Sequence, residues 1–114
     1  MTKKRTSRVG LKYRGKIVYL NVKKIVGFMG FMFKRESTDA VMFNFNKKVN
    51  MGIHSFFVFF TFLAVWLDDK NRVVGIKVIK PFSSCIAPQK PISRVVEIPF
   101  NKKYKKIIEK LTKP

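Results

Sequence analysis

The chain of 114 residues has one cysteine, one histidine and six acidic residues, and each scarcity removes a class of function. A single cysteine, Cys85, excludes an intramolecular disulfide framework and any multi-cysteine zinc or iron–sulfur centre. A single histidine, His54, excludes multi-histidine metal cages. No metal site and no cofactor is therefore expected. The longest apolar run, Ile53–Leu67, is fifteen residues, short of the about 20 that a membrane-spanning helix needs. No such run follows the basic residues at the start, so no secretory signal is expected and the expected location is cytoplasmic.

What the chain has in quantity is positive charge: 25 Lys and Arg give a formal +19. Residues 1–35 hold eleven basic groups and no acid, and residues 101–114 hold six lysines and Glu109, so the two ends carry +16. Between them, eight basic groups and five acids leave +3. Basic ends on a nearly neutral centre fit a partner that carries phosphates, either nucleic acid or an anionic membrane surface. Such ends also keep a small sticky domain soluble, and net charge by itself defines no site. With 46% hydrophobic and 14% aromatic residues, there is enough apolar material for one core and most of the chain is not disordered.

The pattern predicts a mainly β (α+β) domain: compact, antiparallel and barrel-like, with two helices. Residues 1–8 are expected to be a flexible basic arm and residues 9–114 a single domain. Lys16–Val22 is β-branched and aromatic after an Arg14-Gly15 turn, and predicts a strand. Helical spacing of Val22, Ile25, Val26 and Met29, with Asn21 as N-cap, predicts a short helix near residues 22–30. Val41, Phe43 and Phe45 fall on one face of a second strand. Ile53–Leu67, rich in phenylalanine, predicts strand broken near Phe60-Thr61. Asp68–Asn71 is turn chemistry, and Arg72–Ile79 is its partner in a hairpin. Three prolines make 81–91 a loop, and Ile92–Ile98 is a further strand. Over about 101–112, Tyr104, Ile107, Ile108 and Leu111 form the stripe of an amphipathic helix capped by Asn101.

Several segments resemble a known family. Gly30–Arg35 (GFMFKR) is similar to the GLMFR signature of the domain of unknown function 192 (DUF 192), and Ile53–Phe57 (IHSFF) to its IHTFF segment. Val65–Asp68 with Asn71–Val74 resembles its strand, aspartate, turn and strand. Lys80-Pro81-Phe82, Ser84, Cys85 and Val95–Pro99 resemble its KPW…SPC…VLELP ending. The likeness spans about residues 26–100 and implies a β-rich single domain, with no activity attached. The chain departs from the family's MRFPID segment, having Phe59, Thr61 and Leu63 where arginine, proline and aspartate are usual. A polar pair resting on that arginine and aspartate is therefore lost here.

No catalytic constellation is expected. His54 and Cys85 are the one nucleophile-and-base combination, and no flanking signature supports it. The phosphate-gripping glycine motifs are absent. The expected role is non-enzymatic binding of RNA or DNA without sequence preference, through Lys3, Lys4, Arg5, Arg8, Lys12, Arg14, Lys102, Lys103, Lys105 and Lys106. Tyr13, Tyr19 and Tyr104 stand near basic residues, as on single-strand binding surfaces, although Tyr104 also completes the helix stripe. The alternatives are a β domain that binds a small ligand or protein in a pocket around His54, Trp66 and Cys85, and peripheral attachment to anionic lipid.

Overall fold

Alternation of apolar and polar residues builds six strands, and β-branched and aromatic residues dominate the most buried of them. The computed structural model describes residues 6–25, 34–49, 58–83 and 90–113. In chain order these hold β1 (Thr6–Tyr13), β2 (Lys16–Lys24), β3 (Val41–Val49), β4 (Phe62–Leu67), β5 (Val73–Ile79) and β6 (Ile92–Pro99). A single 3-10 turn (Lys102–Tyr104) then leads into helix α1 (Lys105–Thr112). The strands form one sheet in the order β1-β2-β3-β6-β4-β5. The sheet curls into a half-barrel, and its two ends touch where the Lys12 amide donates to the Asn71 carbonyl at 2.9 Å.

β4 is buried on both faces, which explains its unbroken apolar sequence. Leu63, Val65 and Leu67 point inward with Val9, Leu11, Val18, Leu20, Val22, Val96 and Ile98. Phe62, Ala64 and Trp66 point the other way, into a second cluster with Val41, Phe60, Ile79 and Val95. The inner cluster is closed by Tyr104, Ile108 and Leu111 of the C-terminal segment. Of the two strands expected from Ile53–Leu67 with a break at Phe60-Thr61, the second is β4, which begins at Phe62, whereas residues 58–61 are not strand and residues 53–57 lie outside the described residues. The Asp68 turn is also as expected: Oδ1 accepts from the amides of Lys70 (2.9 Å) and Arg72 (2.8 Å), and Oδ2 from Arg72 Nε (2.7 Å).

Three expectations need correction. The basic arm does not reach residue 8, because Thr6, Ser7 and Arg8 already pair with Lys23, Val22 and Asn21 in β1. Gly10 and the density of cations mask that strand in the sequence, although its Val9 and Leu11 alternate correctly. The helix expected near 22–30 does not begin there: Val22–Lys24 finish β2, and the amides of Lys23 and Ile25 donate to the carbonyls of Ala40 and Met42. Residues 26–30 lie outside the described residues. A sheet partner on each side supplies the hydrogen bonds that a helix would have made internally, and the β-branched composition favours that outcome. Finally, the sheet is mixed, because β2 and β3 run parallel (Lys23↔Val41, Lys24↔Met42) while the other four pairings are antiparallel.

The C-terminal helix is as expected and is tied to residues 36–40 by side chains. Asn101 Oδ1 caps the Lys103 amide (3.0 Å), and its Nδ2 donates to the carbonyls of Glu36 (2.7 Å) and Thr38 (3.1 Å). The buried Ala40 amide donates to the Tyr104 hydroxyl at 2.8 Å. Tyr104→Phe leaves that amide unsatisfied, and is expected to cost about 1–3 kcal/mol in urea unfolding.

Candidate polyanion-binding surface

A two-residue turn with positive φ at both positions, Arg14 (52°) and Gly15 (75°), joins β1 to β2. This geometry matches the twist of a hairpin. The rungs Thr6↔Lys23, Arg8↔Asn21, Gly10↔Tyr19 and Lys12↔Ile17 share the face turned away from the inner core. That convex face carries Arg8, Lys12 and Lys23, and residues 6–24 contain six cations and no acid. Among these residues Tyr19 is 52% exposed and Ile17 49%. The Arg8 guanidinium lies 4.5 Å from the centre of the Tyr19 ring. Gly10 sits directly opposite Tyr19, and a Cβ there would meet Ile17 Cγ2 at 2.9 Å and Tyr19 Cε1 at 3.0 Å. The absence of a side chain is what lets the ring lie across β1.

The helix cations are placed differently. Lys103 Nζ is committed to Asp39 Oδ1 (2.7 Å) and the Ser37 carbonyl (3.0 Å). That hydrogen bond to Asp39 raises the lysine's pKa. Lys102 and Lys105 line an open cleft of about 440 Å³ with Glu36, Asn101, Ile108 and Glu109, so both signs of charge meet there. Lys105 and Lys106 are exposed. The helix packs on the concave side of the hairpin, through Ile108 and Leu111. The two basic groups thus occupy opposite sides of the β1–β2 ribbon. They meet at its turn, where Arg14 Nη1 donates to the Lys113 carbonyl at 3.1 Å and its guanidinium lies 5.1 Å from the Tyr13 ring.

Of the residues expected to bind polyanions, Arg8, Lys12, Arg14, Lys102, Lys103, Lys105 and Lys106 are all exposed, and among them Arg8, Arg14 and Lys103 also hold contacts within the fold. Lys3, Lys4 and Arg5 lie outside the described residues, as do His54 and Cys85 of the expected pocket. Trp66, the third member of that pocket, is buried among apolar side chains, and its Nε1 has no hydrogen-bond partner among the described residues. Lys23 is absent from the set expected from sequence, and Tyr19 enters it only as a neighbour of cations. Strict alternation in KIVYLNVKK puts Ile17, Tyr19, Asn21 and Lys23 on one face, but only the pairing with β1 shows that this face is the solvated one.

One carboxyl lies apart from these surfaces. Glu97, on β6, pairs with Val41 on one side and Ala64 on the other, and is buried. Burial pushes its pKa up to about 8. Asp68 shows the opposite balance: partial burial pushes its carboxyl up, but hydrogen bonds from Arg72 and Lys70 and the Arg72 charge outweigh it and hold the pKa below the usual value. Among the described residues there is no cluster of three or more metal-ligating side chains. No helix there is long and apolar enough to cross a membrane.

No family profile and no curated protein matches the chain in sequence. Solved structures do match in shape. A protein of Sinorhizobium meliloti, provisionally named a transcription regulator, superposes with a TM-score of 0.76 at 16% identity, over 94% of this chain and 89% of its own. A protein of unknown function from Novosphingobium aromaticivorans superposes with a TM-score of 0.72 at 14% identity, over 90% of this chain and 78% of its own. The chain is thus similar in fold to both, a β-rich half-barrel with one short helix near its C-terminal end.

Proposed function

We propose that this chain is a non-enzymatic, cytoplasmic domain of the DUF 192 type that holds the phosphate backbone of RNA or DNA. The observation that carries the reading is the β1–β2 hairpin, whose residues 6–24 bear six cations and no acid, with Arg8 and Lys12 exposed on one convex face. A field of one sign opposes compaction, and its retention on a small sheet surface is accounted for by a partner of opposite charge. Contacts of this kind are made to phosphates and carry no sequence information.

The test is binding to a labelled single strand across a salt series centred on 150 mM. Neutralising Lys12, Lys105 and Lys106 together to glutamine is expected to flatten the slope of log K against log salt by about 2, at roughly 0.7 for each phosphate no longer neutralised. Lys103→Gln is expected to leave the slope unchanged, because its ammonium already belongs to Asp39. Absence of saturable binding at 150 mM salt would make the charge incidental.

A further inference from the structure

The convex face of the hairpin carries more than charge. Resting on the reading above, we propose that Tyr19, Arg8 and the gap left by Gly10 form a stacking site for one unpaired base, so that the preferred partner is a single strand rather than a duplex. Phosphate binding alone calls for cations and does not call for aromatic surface. Yet Tyr19 and Ile17 are about half exposed at the middle of the most basic hairpin of the molecule, where an ordinary solvated sheet face carries polar side chains. The rung that holds Tyr19 is flanked by the Arg8 rung on one side and the Lys12 rung on the other, each about 7 Å away along the strands. A base on the ring therefore has a cation within reach in both directions along the backbone.

Gly10 fixes the geometry. With no Cβ opposite it, the ring brings Cδ1 and Cε1 to within 3.0–3.3 Å of the place that a Gly10 Cβ would take, and an exposed ring at such a position offers the π surface that bases stack on. In the free protein the Arg8 guanidinium occupies that surface at 4.5 Å. On binding, the base takes its place and the guanidinium turns to the adjacent phosphate, exchanging a cation–π contact for a charge-assisted hydrogen bond. A duplex cannot offer an unpaired base to this ring. An anionic membrane would need a wider apolar surface than these two side chains provide.

The experiment uses the full chain with a labelled 12-nucleotide single-stranded RNA and a duplex of equal length, at 150 mM salt. Tyr19→Leu keeps apolar cover over Gly10 and removes the ring, and Tyr19→Phe keeps the ring. Thermal melts of both variants establish that they fold. Tyr19→Leu is expected to weaken single-strand binding roughly 5- to 150-fold while leaving duplex binding and the salt slope unchanged, and Tyr19→Phe to bind as the parent does. Unchanged single-strand affinity in a folded Tyr19→Leu overturns the stacking site. If Lys12, Lys105 and Lys106 still set the salt slope in that case, backbone binding survives without it. Equal weakening on single strand and duplex also overturns the stacking site. Loss of binding to phosphatidylserine vesicles in Tyr19→Leu, with RNA binding unaffected, overturns it in favour of a membrane surface. Failure of the parent to bind either nucleic acid overturns both readings.

Discussion

Replacing Glu97 by glutamine is expected to leave stability nearly unchanged at pH 4.5 and to raise it by roughly 3–5 kcal/mol at pH 8 and above. The carboxyl lies on β6 between Val41 and Ala64, facing the outer cluster of Phe62, Trp66 and Val95. Its pKa is raised from 4.5 to about 8 by burial alone. The charged groups in its own row across the sheet are Lys23, beyond Val41, and Lys77, beyond Ala64. Each stands two strands away, about 9.5 Å, too far to pair with it. Below pH 4.5 both the folded and the unfolded chain hold the proton, and burial of the neutral acid adds no pH dependence. Between 4.5 and about 8 the unfolded chain releases the proton and the folded chain keeps it, so stability falls as pH rises. Above about 8 the fold must bury the charge and the loss is complete. Glutamine has the shape of the protonated acid and does not titrate. Urea midpoints of parent and variant from pH 4.5 to 9 should therefore diverge steadily, and parallel curves would show that Glu97 reaches water or a donor.

Leu63→Asp is expected to abolish folding at 25 °C. Leu63 is fully buried in the inner cluster with Val65, Leu67, Val96 and Ile98. An unpaired charge in such a place costs several kcal/mol, comparable with the whole stability of a domain this size. This is the position where the resemblance to DUF 192 leads one to expect an aspartate, and in this chain it lies wholly among apolar side chains. Phe59, where the same resemblance expects arginine, is 61% exposed and packs edge-to-face on Phe82 at 5.3 Å. Phe59→Arg is therefore expected to change stability by less than about 1 kcal/mol. Circular dichroism of the two variants separates the cases. A folded Leu63→Asp would mean that β4 is displaced by one residue, turning its inner face outward.

Much of this arrangement is legible in the residues. Phe62–Leu67, Val73–Ile79 and Ile92–Pro99 stand out because runs of β-branched and aromatic residues between turn residues have few other uses. The C-terminal helix stands out because Tyr104, Ile107, Ile108 and Leu111 repeat at one period. β1 does not, because Gly10 and the cations Arg8, Lys12 and Arg14 give it and its turn the look of a tail. Its strand character comes from β2, with which it pairs along its whole length. The false helix start at Val22 has the same origin: a few apolar residues at 3–4 spacing are ambiguous until a neighbouring strand claims their amides. The binding surface is legible as charge and illegible as a face. Which cations are committed within the fold depends on partners far away in sequence, such as Asp39 for Lys103 and the Lys113 carbonyl for Arg14.

The position of β6 has a consequence for how the protein is made. It is the last strand in the chain, yet it lies between β3 and β4 in the sheet. Until residues 92–99 are made, the edges of β3 and β4 lack the strand that joins them, although the far edges can still meet through Lys12 and Asn71. The helix that seals the inner core follows later still, and it closes by reaching back to residues 36–40. Everything before residue 92 therefore has no complete sheet to rest in until β6 takes its place between β3 and β4.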